Sequence, residues 1–246
     1  MKEVVFTDIR ILQKGFNYSQ DGPGNRLVYH LQGCNLHCPW CSNPESMSTA
    51  EGEGISTEAV LKEILISELM FFDGGGVTFT GGEPTLQFDA LKELLTMLRP
   101  YGISTAIETN GTNPRLPELF SLTDYLIMDF KHYSSDKLRE YTGVGNETVI
   151  SNLKAASQSR NQLLLRIPLI NGFNASEEDA AGFAKILSPL MKDGFALEVL
   201  RYHEYGKDKW AQHGMQYTMQ DAFVTDAQFD KFCSILKNNS IKLVRT

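Results

Sequence analysis

Two rhythms of apolar and polar positions alternate along the chain. Compact apolar runs rich in β-branched residues, each of strand length, fall at 26–32, 76–80, 104–107, 125–129, 163–170 and 197–202, with a shorter one at 241–244. Between them apolar positions recur at helical spacing. In 57–72, Val60, Leu61, Ile64, Leu65 and Leu69 share one face behind a capping-type Ser56 or Thr57. In 86–98, Leu91, Leu94, Leu95 and Leu98 do the same, and similar patterns run over 147–156 and 176–190. The last opens on Ser176 with Asp179 three residues on, a capping box, and Pro189 should end or kink it. Further along, Phe229, Phe232, Cys233 and Leu236 stand at i, i+3, i+4 and i+7, the buried stripe of another helix, which makes Cys233 a core residue.

Strands alternating with helices predict an α/β fold whose strands pair in parallel through right-handed crossovers. A barrel and an open doubly wound sheet both satisfy that order. The 246 residues suit one large or two small domains, and no linker rich in Pro, Gly or Ser divides them, which favours a single domain over 1–246. The chemically loaded residues collect where the predicted strands end. The loop holding Cys34, Cys38 and Cys41 follows the first strand, Gly82 and Glu83 follow the second, and Glu108-Thr109-Asn110-Gly111 follows the third. Asp129 and Lys131 end the fourth, Arg166 lies in the fifth, and His203 follows the sixth. Ligands of parallel α/β folds bind at the carboxyl ends of strands, and six strands contributing to one mouth favour a barrel-like curve.

The cysteines carry the sharpest signal. Gly33-Cys-Asn-Leu-His-Cys-Pro-Trp-Cys41 has the spacing C-x3-C-x2-C, which aims three thiols inward from one short loop and supplies no fourth. Iron–sulfur clusters are normally held by four thiolates, so three ligands on a cubane cluster leave one iron open. The competing reading is a zinc knuckle completed by His37 or a distant residue, although no second ligand pair follows. Four cysteines, three of them clustered, do not form a disulfide framework and point to a reducing compartment. The start of the chain has an early acid and no apolar run of signal-peptide length, and no stretch nears the roughly 18 apolar residues of a membrane span. The net charge of −7 is dispersed without a basic run, which argues against nucleic acid and membrane as partners. The expectation is a soluble cytoplasmic protein.

Elsewhere each pattern admits a plain reading beside a functional one. The glycines of 74–82 make either a tight strand-end turn or room for a ligand, with the acid Glu83 placed to receive an ammonium group. Asp129 and Lys131 are either a structural ion pair or ligand-binding charges. Arg166, among Leu163, Leu164, Leu165 and Ile167, points either inward, where it suits a carboxylate, or outward. Asp21-Gly22-Pro23-Gly24 is a turn by its chemistry. In Tyr202-His-Glu-Tyr-Gly-Lys-Asp-Lys-Trp210, His203 ends a strand and Trp210 reads as packing.

Taken together, Cys34-x3-Cys38-x-Trp40-Cys41, Asp21-Gly-Pro-Gly24, Gly-Gly-Gly-Val-Thr-x-x-Gly-Gly-Glu83, Thr109-Asn-Gly, Asp129-x-Lys131, Gly143-Val144 and Tyr202-His-Glu-x-Gly-x-x-Lys-Trp210 resemble the radical S-adenosylmethionine superfamily. Within it the pattern is most similar to the glycyl-radical-enzyme activating enzymes, those of pyruvate formate-lyase above all. The resemblance covers nearly the whole chain and implies a partial (β/α)6 TIM-like barrel with a parallel sheet. It implies one 4Fe-4S cluster on Cys34, Cys38 and Cys41, with S-adenosylmethionine contacted by Trp40, Ser42, Gly82, Glu83, Glu108, Asp129, Lys131, Arg166 and His203. Asp21, Gly22 and Gly24 would lie near the mouth and meet the protein substrate, a glycyl radical enzyme, with flavodoxin or ferredoxin as electron donor. A monovalent cation is also implied, with Glu108 standing where Asp is usual. Asn25 replaces an aliphatic residue, and the run 40–46 is closer to activases of other glycyl radical enzymes. The ferredoxin-like insert many of those carry needs eight further cysteines, and none lies between Cys41 and Gly81. The alternative within the superfamily is a small-molecule enzyme of the carboxy-deazaguanine synthase type; outside it, a zinc-stabilised binding module.

Overall fold

The computed structural model describes residues 6–49 and 52–245, Glu53 by its backbone alone. The expectation about the chain's start rests partly on residues 1–5, which lie outside the described residues. The chain forms two compact units, each assembled from separated segments. The first takes Met1–Asn35, Ser46–Thr109 and Glu118–Ile127, and the second Leu36–Glu45, Asn110–Pro117 and Met128–Thr246.

In the first unit β1 (Asp8–Tyr18), β2 (Asn25–Leu31), β3 (Glu53–Ser56), β4 (Gly76–Gly81) and β5 (Ser104–Thr109) form a sheet ordered β3-β1-β2-β4-β5. β2, β4 and β5 run parallel, in the register Arg26↔Gly76↔Ser104. Leu27, Val28, Tyr29 and Leu31 of β2 and Val77 and Phe79 of β4 are all buried, the continuous burial of parallel strands covered on both faces. β1 pairs antiparallel with β2 and β3, an arrangement the sequence did not suggest. Its residues Gln13–Phe16 are exposed, so its second half shows no period-2 alternation.

Among its described residues this unit holds the α-helices α1 (Thr57–Ile66) and α2 (Phe88–Leu98). The Ser56 hydroxyl caps α1 by accepting from the Ala59 N–H. The helix expected over 57–72 stops at Ile66, where the Ser67 N–H donates to Glu63 O and Ile64 O and a 3-10 turn follows. α2 buries Phe88, Leu91, Leu94, Leu95 and Leu98, the stripe its spacing predicted.

β6 (Tyr125–Asp129) gives its first three residues to the first unit and its last two to the second. The second unit adds α3 (Ser135–Thr142), α4 (Glu147–Gln158), β7 (Gln162–Leu169), α5 (Glu177–Leu187), β8 (Phe195–Arg201), α6 (Lys207–Gln212), α7 (Asp226–Asn238) and β9 (Leu243–Val244). β7, β8 and β9 are parallel neighbours. Capping boxes start α5 at Ser176/Asp179 and α7 at Thr225/Gln228, and α5 ends before Pro189, as its sequence predicted. Cys233 is buried in α7 with Phe229, Phe232 and Leu236. Among the described residues no helix is long and apolar enough to cross a membrane.

Candidate active site

In the first unit the carboxyl ends of β2 and β4 are bonded together. Gly82 N–H donates to Leu31 O at 3.0 Å and Glu83 N–H to Gly33 O at 2.7 Å. A Cβ at Gly82 would stand 2.2 Å from Gly33 O, so glycine there has a structural cause: only a bare backbone lets the strand ends meet. This contact places Glu83 beside the residue that precedes Cys34. Gly33 N–H in turn donates to Ser46 O at 2.9 Å, which closes the base of the cysteine loop.

Glu83 is fully buried, and three donors converge on its Oε1: the Thr85 N–H at 3.0 Å, the Thr85 hydroxyl at 2.5 Å and the Thr109 hydroxyl at 2.7 Å. Buried polar groups are held by hydrogen bonds, and these three fix the carboxyl group in place out of contact with solvent. Glu108, half-buried at the end of β5, accepts from the Thr80 hydroxyl at 3.0 Å. Thr85 and Thr109 were not singled out by sequence reasoning. Thr109 sits inside a quoted motif, but a threonine carries no sign of the carboxylate it serves.

The second unit holds the rest of the cysteine loop, Leu36–Glu45. Trp210 Nε1–H donates to Cys41 O at 2.9 Å, and Lys209 Nζ reaches Asn43 Oδ1 at 2.8 Å and Glu45 Oε1 at 2.7 Å. A Cβ at Gly206 would stand 2.5 Å from Ser42 Cα, so α6 and the residue before it press directly on the loop. Trp210, read as packing, therefore also fixes the backbone at Cys41. His37 N–H donates to Thr142 O at 3.0 Å from the other side. The Trp40 ring packs on Phe173, centroids 4.7 Å apart, and near Tyr141 at 6.3 Å, against the buried cluster of Leu138, Ile170, Phe173, Tyr202 and Ala222.

The candidate charges Asp129, Lys131 and Arg166 of this unit are paired. Lys131 Nζ lies 2.5 Å from Asp129 Oδ2, so the plain reading of these residues, an ion pair, is realised. Arg166 and Glu198, in register on β7 and β8, are both buried and bonded at 3.1 Å. Arg166 does meet a carboxylate, but it is the protein's own, and Glu198 was missed because strand periodicity did not fix which face Arg166 takes. His203 is half-buried beside Tyr205, ring centroids 4.1 Å apart, and burial lowers its pKa below the usual imidazole value.

Asp21–Gly24 lies elsewhere. It precedes β2, whereas Cys34 follows it, so the turn sits at the amino edge of the first unit's parallel strands and not at their carboxyl mouth. Seven residues of β2 separate the two edges by about 20 Å. Asn17 Nδ2–H donates to Asp21 Oδ2 at 2.5 Å, and a Cβ on Gly24, whose φ is +68°, would collide with Phe72 O and Asp73 O.

The donor set fits an iron–sulfur cluster. All three loop cysteines are free thiols, and Cys41 Sγ accepts from the Asn43 N–H at 3.4 Å, a contact that favours thiolate. Burial pushes the Cys41 thiol up, against that hydrogen bond and the pull of Lys131 and Lys209. Such a thiol keeps its proton in the free protein and releases it to solvent when a metal binds the sulfur. Among the described residues no three His, Cys, Asp or Glu side chains already form a metal-binding group, so the cluster assignment rests on spacing, donor chemistry and kinship.

Known proteins share this pattern. Residues 28–184 match the radical SAM superfamily. The chain is 33% identical over 211 residues to the pyruvate formate-lyase-activating enzyme of Clostridium pasteurianum, covering 85% of this chain and 88% of that one. Among solved structures it is similar to a domain of pyruvate-formate lyase-activating enzyme from Bacteroides vulgatus, with a TM-score of 0.57, 26% identity and coverage of 69% of this chain and 98% of that one. It is also similar to a radical SAM methyltransferase from Sphaerobacter thermophilus, TM-score 0.65, covering 97% of this chain and 76% of that one at 14% identity. The last likeness is one of fold, and it agrees with the α/β class expected from the order of strands and helices.

Proposed function

The chain belongs to the radical SAM superfamily, and from that premise we propose that it activates a glycyl radical enzyme, pyruvate formate-lyase or a relative. The observation that carries this reading is the C-x3-C-x2-C loop clamped by the Tyr202–Trp210 segment, in a chain alignable over most of its length with activating enzymes. The reading takes 1–246 as one radical SAM domain working in the cytoplasm.

Cys34, Cys38 and Cys41 would hold a 4Fe-4S cluster, leaving one iron for S-adenosylmethionine. Once bound, these groups would supply the hard chemistry, the one-electron reductive cleavage of S-adenosylmethionine to a 5′-deoxyadenosyl radical able to take a hydrogen atom from a glycine Cα of the partner, with a flavodoxin or ferredoxin as the electron donor. The chain's own residues bind, orient and keep water out. Glu83, held in place by its three donors, is the group to receive the methionine ammonium, next to Gly82. Asp129, Lys131, Arg166 and His203 serve the cofactor's other polar edges, with Trp40 and Ser42 beside them, and Glu108 takes the place of the usual Asp at a monovalent cation.

At the amino edge, Asp21, Gly22 and Gly24 meet the partner. Exposed rings beside the turn support a polypeptide there, since Tyr18 (53% exposed) stacks on Phe72 (50%) and Asn25 bonds to Phe72 O. Clustered exposed aromatics mark protein contacts. A partner loop entering there needs about six extended residues to span the 20 Å or so to the carboxyl edge.

The test is anaerobic reconstitution with iron and sulfide, then S-adenosylmethionine and dithionite. Bound iron with acid-labile sulfide and formation of 5′-deoxyadenosine are expected. Zinc as the only tightly held metal, with no 5′-deoxyadenosine, would return the loop to a structural knuckle.

A further inference from the structure

Arg26 opens β2 and is 0% exposed, and among the described residues no carboxylate is bonded to it, although Asp21 and Asp124 act on it through space. A buried charge without an ion-pair partner is costly, so its surroundings must replace water completely. They do. A guanidinium has five N–H donors in a rigid fork. Nε–H donates to Thr78 Oγ1 at 2.7 Å; Nη1 donates to Pro23 O and Ser104 Oγ, each at 3.3 Å; Nη2 donates to Val77 O at 2.7 Å and Ser104 O at 3.0 Å. Burial pulls its pKa down to about 10, which leaves it charged at neutral pH. With every donor used inside the protein, Arg26 has none to offer a ligand.

What the fork joins is informative. Val77 and Thr78 belong to β4, Ser104 begins β5, and Pro23 is the centre of the Asp21–Gly24 turn. Thr78 Oγ1, having accepted from Arg26, donates to Asp21 O at 2.7 Å. Gly22, with φ +118°, would set a Cβ 3.1 Å from Arg26 Cδ, so the turn lies directly on the arginine stem. The backbone at Asp21 is therefore fixed to the amino ends of three strands through one guanidinium and one hydroxyl.

We propose that Arg26 and Thr78 are positioning residues for the protein substrate, holding the Asp21–Gly24 turn in the one conformation that receives the partner's polypeptide. This rests on the activase reading above. Lysine cannot reproduce the role, because an ammonium is a point charge without the planar fork.

Arg26→Lys risks misfolding, so the informative pair is Thr78→Val and Thr78→Ser. Valine keeps the shape and deletes the hydroxyl; serine keeps the hydroxyl. For Thr78→Val we expect KM for the glycyl radical enzyme to rise about tenfold, the equivalent of one hydrogen bond to a charged group, with kcat within about twofold. Thr78→Ser restores KM. Hydrogen exchange read on the same proteins should show lost protection confined to the amides of residues 19–25. Unchanged KM in Thr78→Val, a parallel fall in kcat, or loosening spread over the whole unit would overturn the positioning role. If the wild-type protein cleaves S-adenosylmethionine but installs no glycyl radical, the activase reading itself fails and this inference falls with it.

Discussion

At the carboxyl edge of the first unit a buried carboxylate, Glu83, receives three donors; at the amino edge a buried guanidinium, Arg26, gives five. Both edges solve the same problem with opposite charge. In both a threonine hydroxyl is a key contact, Thr109 for the acid and Thr78 for the base. The difference lies in what each arrangement holds. Glu83 is a side chain fixed next to the residue that precedes Cys34, while Arg26 arranges a backbone turn. On the proposed reading one edge serves cofactor chemistry and the other recognition, so damage to the two should separate in assay.

The largest separation is expected from Cys38→Ala. Removing one of three cluster ligands should abolish 5′-deoxyadenosine formation and leave the circular dichroism of the fold unchanged. Cleavage persisting in protein with an emptied cluster site would refute the cysteine assignment. Asp21→Ala is the counterpart at the amino edge. Partner activation should fall by about 100-fold, the order seen when a central charged contact is truncated, while cleavage without partner changes little. Equal loss of both activities would move Asp21 into the cofactor site or the core.

A smaller effect tests the threonine hydroxyls. Thr109→Val removes one charge-assisted bond from Glu83 and should cost about 2 kcal/mol of stability by denaturant unfolding, with weaker S-adenosylmethionine binding. Weaker partner binding instead would collapse the distinction between edges.

The smallest concerns pH and lies in the second unit. His132 is buried, its pKa lowered by burial against the pull of Asp179 at 3.6 Å, and His203 is lowered by burial too. Both folded values lie below 6.5, so the unfolded chain binds more protons as pH drops through that value, and stability falls. Tm should drop between pH 7 and pH 5 by on the order of 2–4 °C for each kcal/mol lost, and His132→Gln should flatten the slope. A Tm that rises on acidification would contradict the sign.

Much of this was legible in the sequence. The parallel strands are continuous apolar runs, and α2, α4, α5 and α7 show their buried stripes, so period and capping residues located them. β1 was missed because its exposed half has no alternation, and α3 because it buries only Leu138 and Thr142. The two units were illegible because each is assembled from separated segments. At the site, cysteine spacing and the acid Glu83 were readable as residue types at strand ends. Their supports were not: Thr85, Thr109 and Glu198 act through contacts at sequence separations of 2, 26 and 32. Arg26 read only as the first residue of a strand, and nothing local announces that its five donors are turned inward. The Asp21 turn was expected at the mouth, but a segment preceding a strand must lie at its opposite end.

The central claim is that this chain installs a glycyl radical on a partner protein. Its most direct test is the anaerobic electron paramagnetic resonance spectrum of pyruvate formate-lyase incubated with the reconstituted protein, S-adenosylmethionine and a reductant. A glycyl doublet that depends on all four components is the predicted result. No doublet, where a working activase run in parallel gives one and 5′-deoxyadenosine still forms, would contradict the assignment to pyruvate formate-lyase; the same silence across other glycyl radical enzymes would leave a radical enzyme acting on a small molecule.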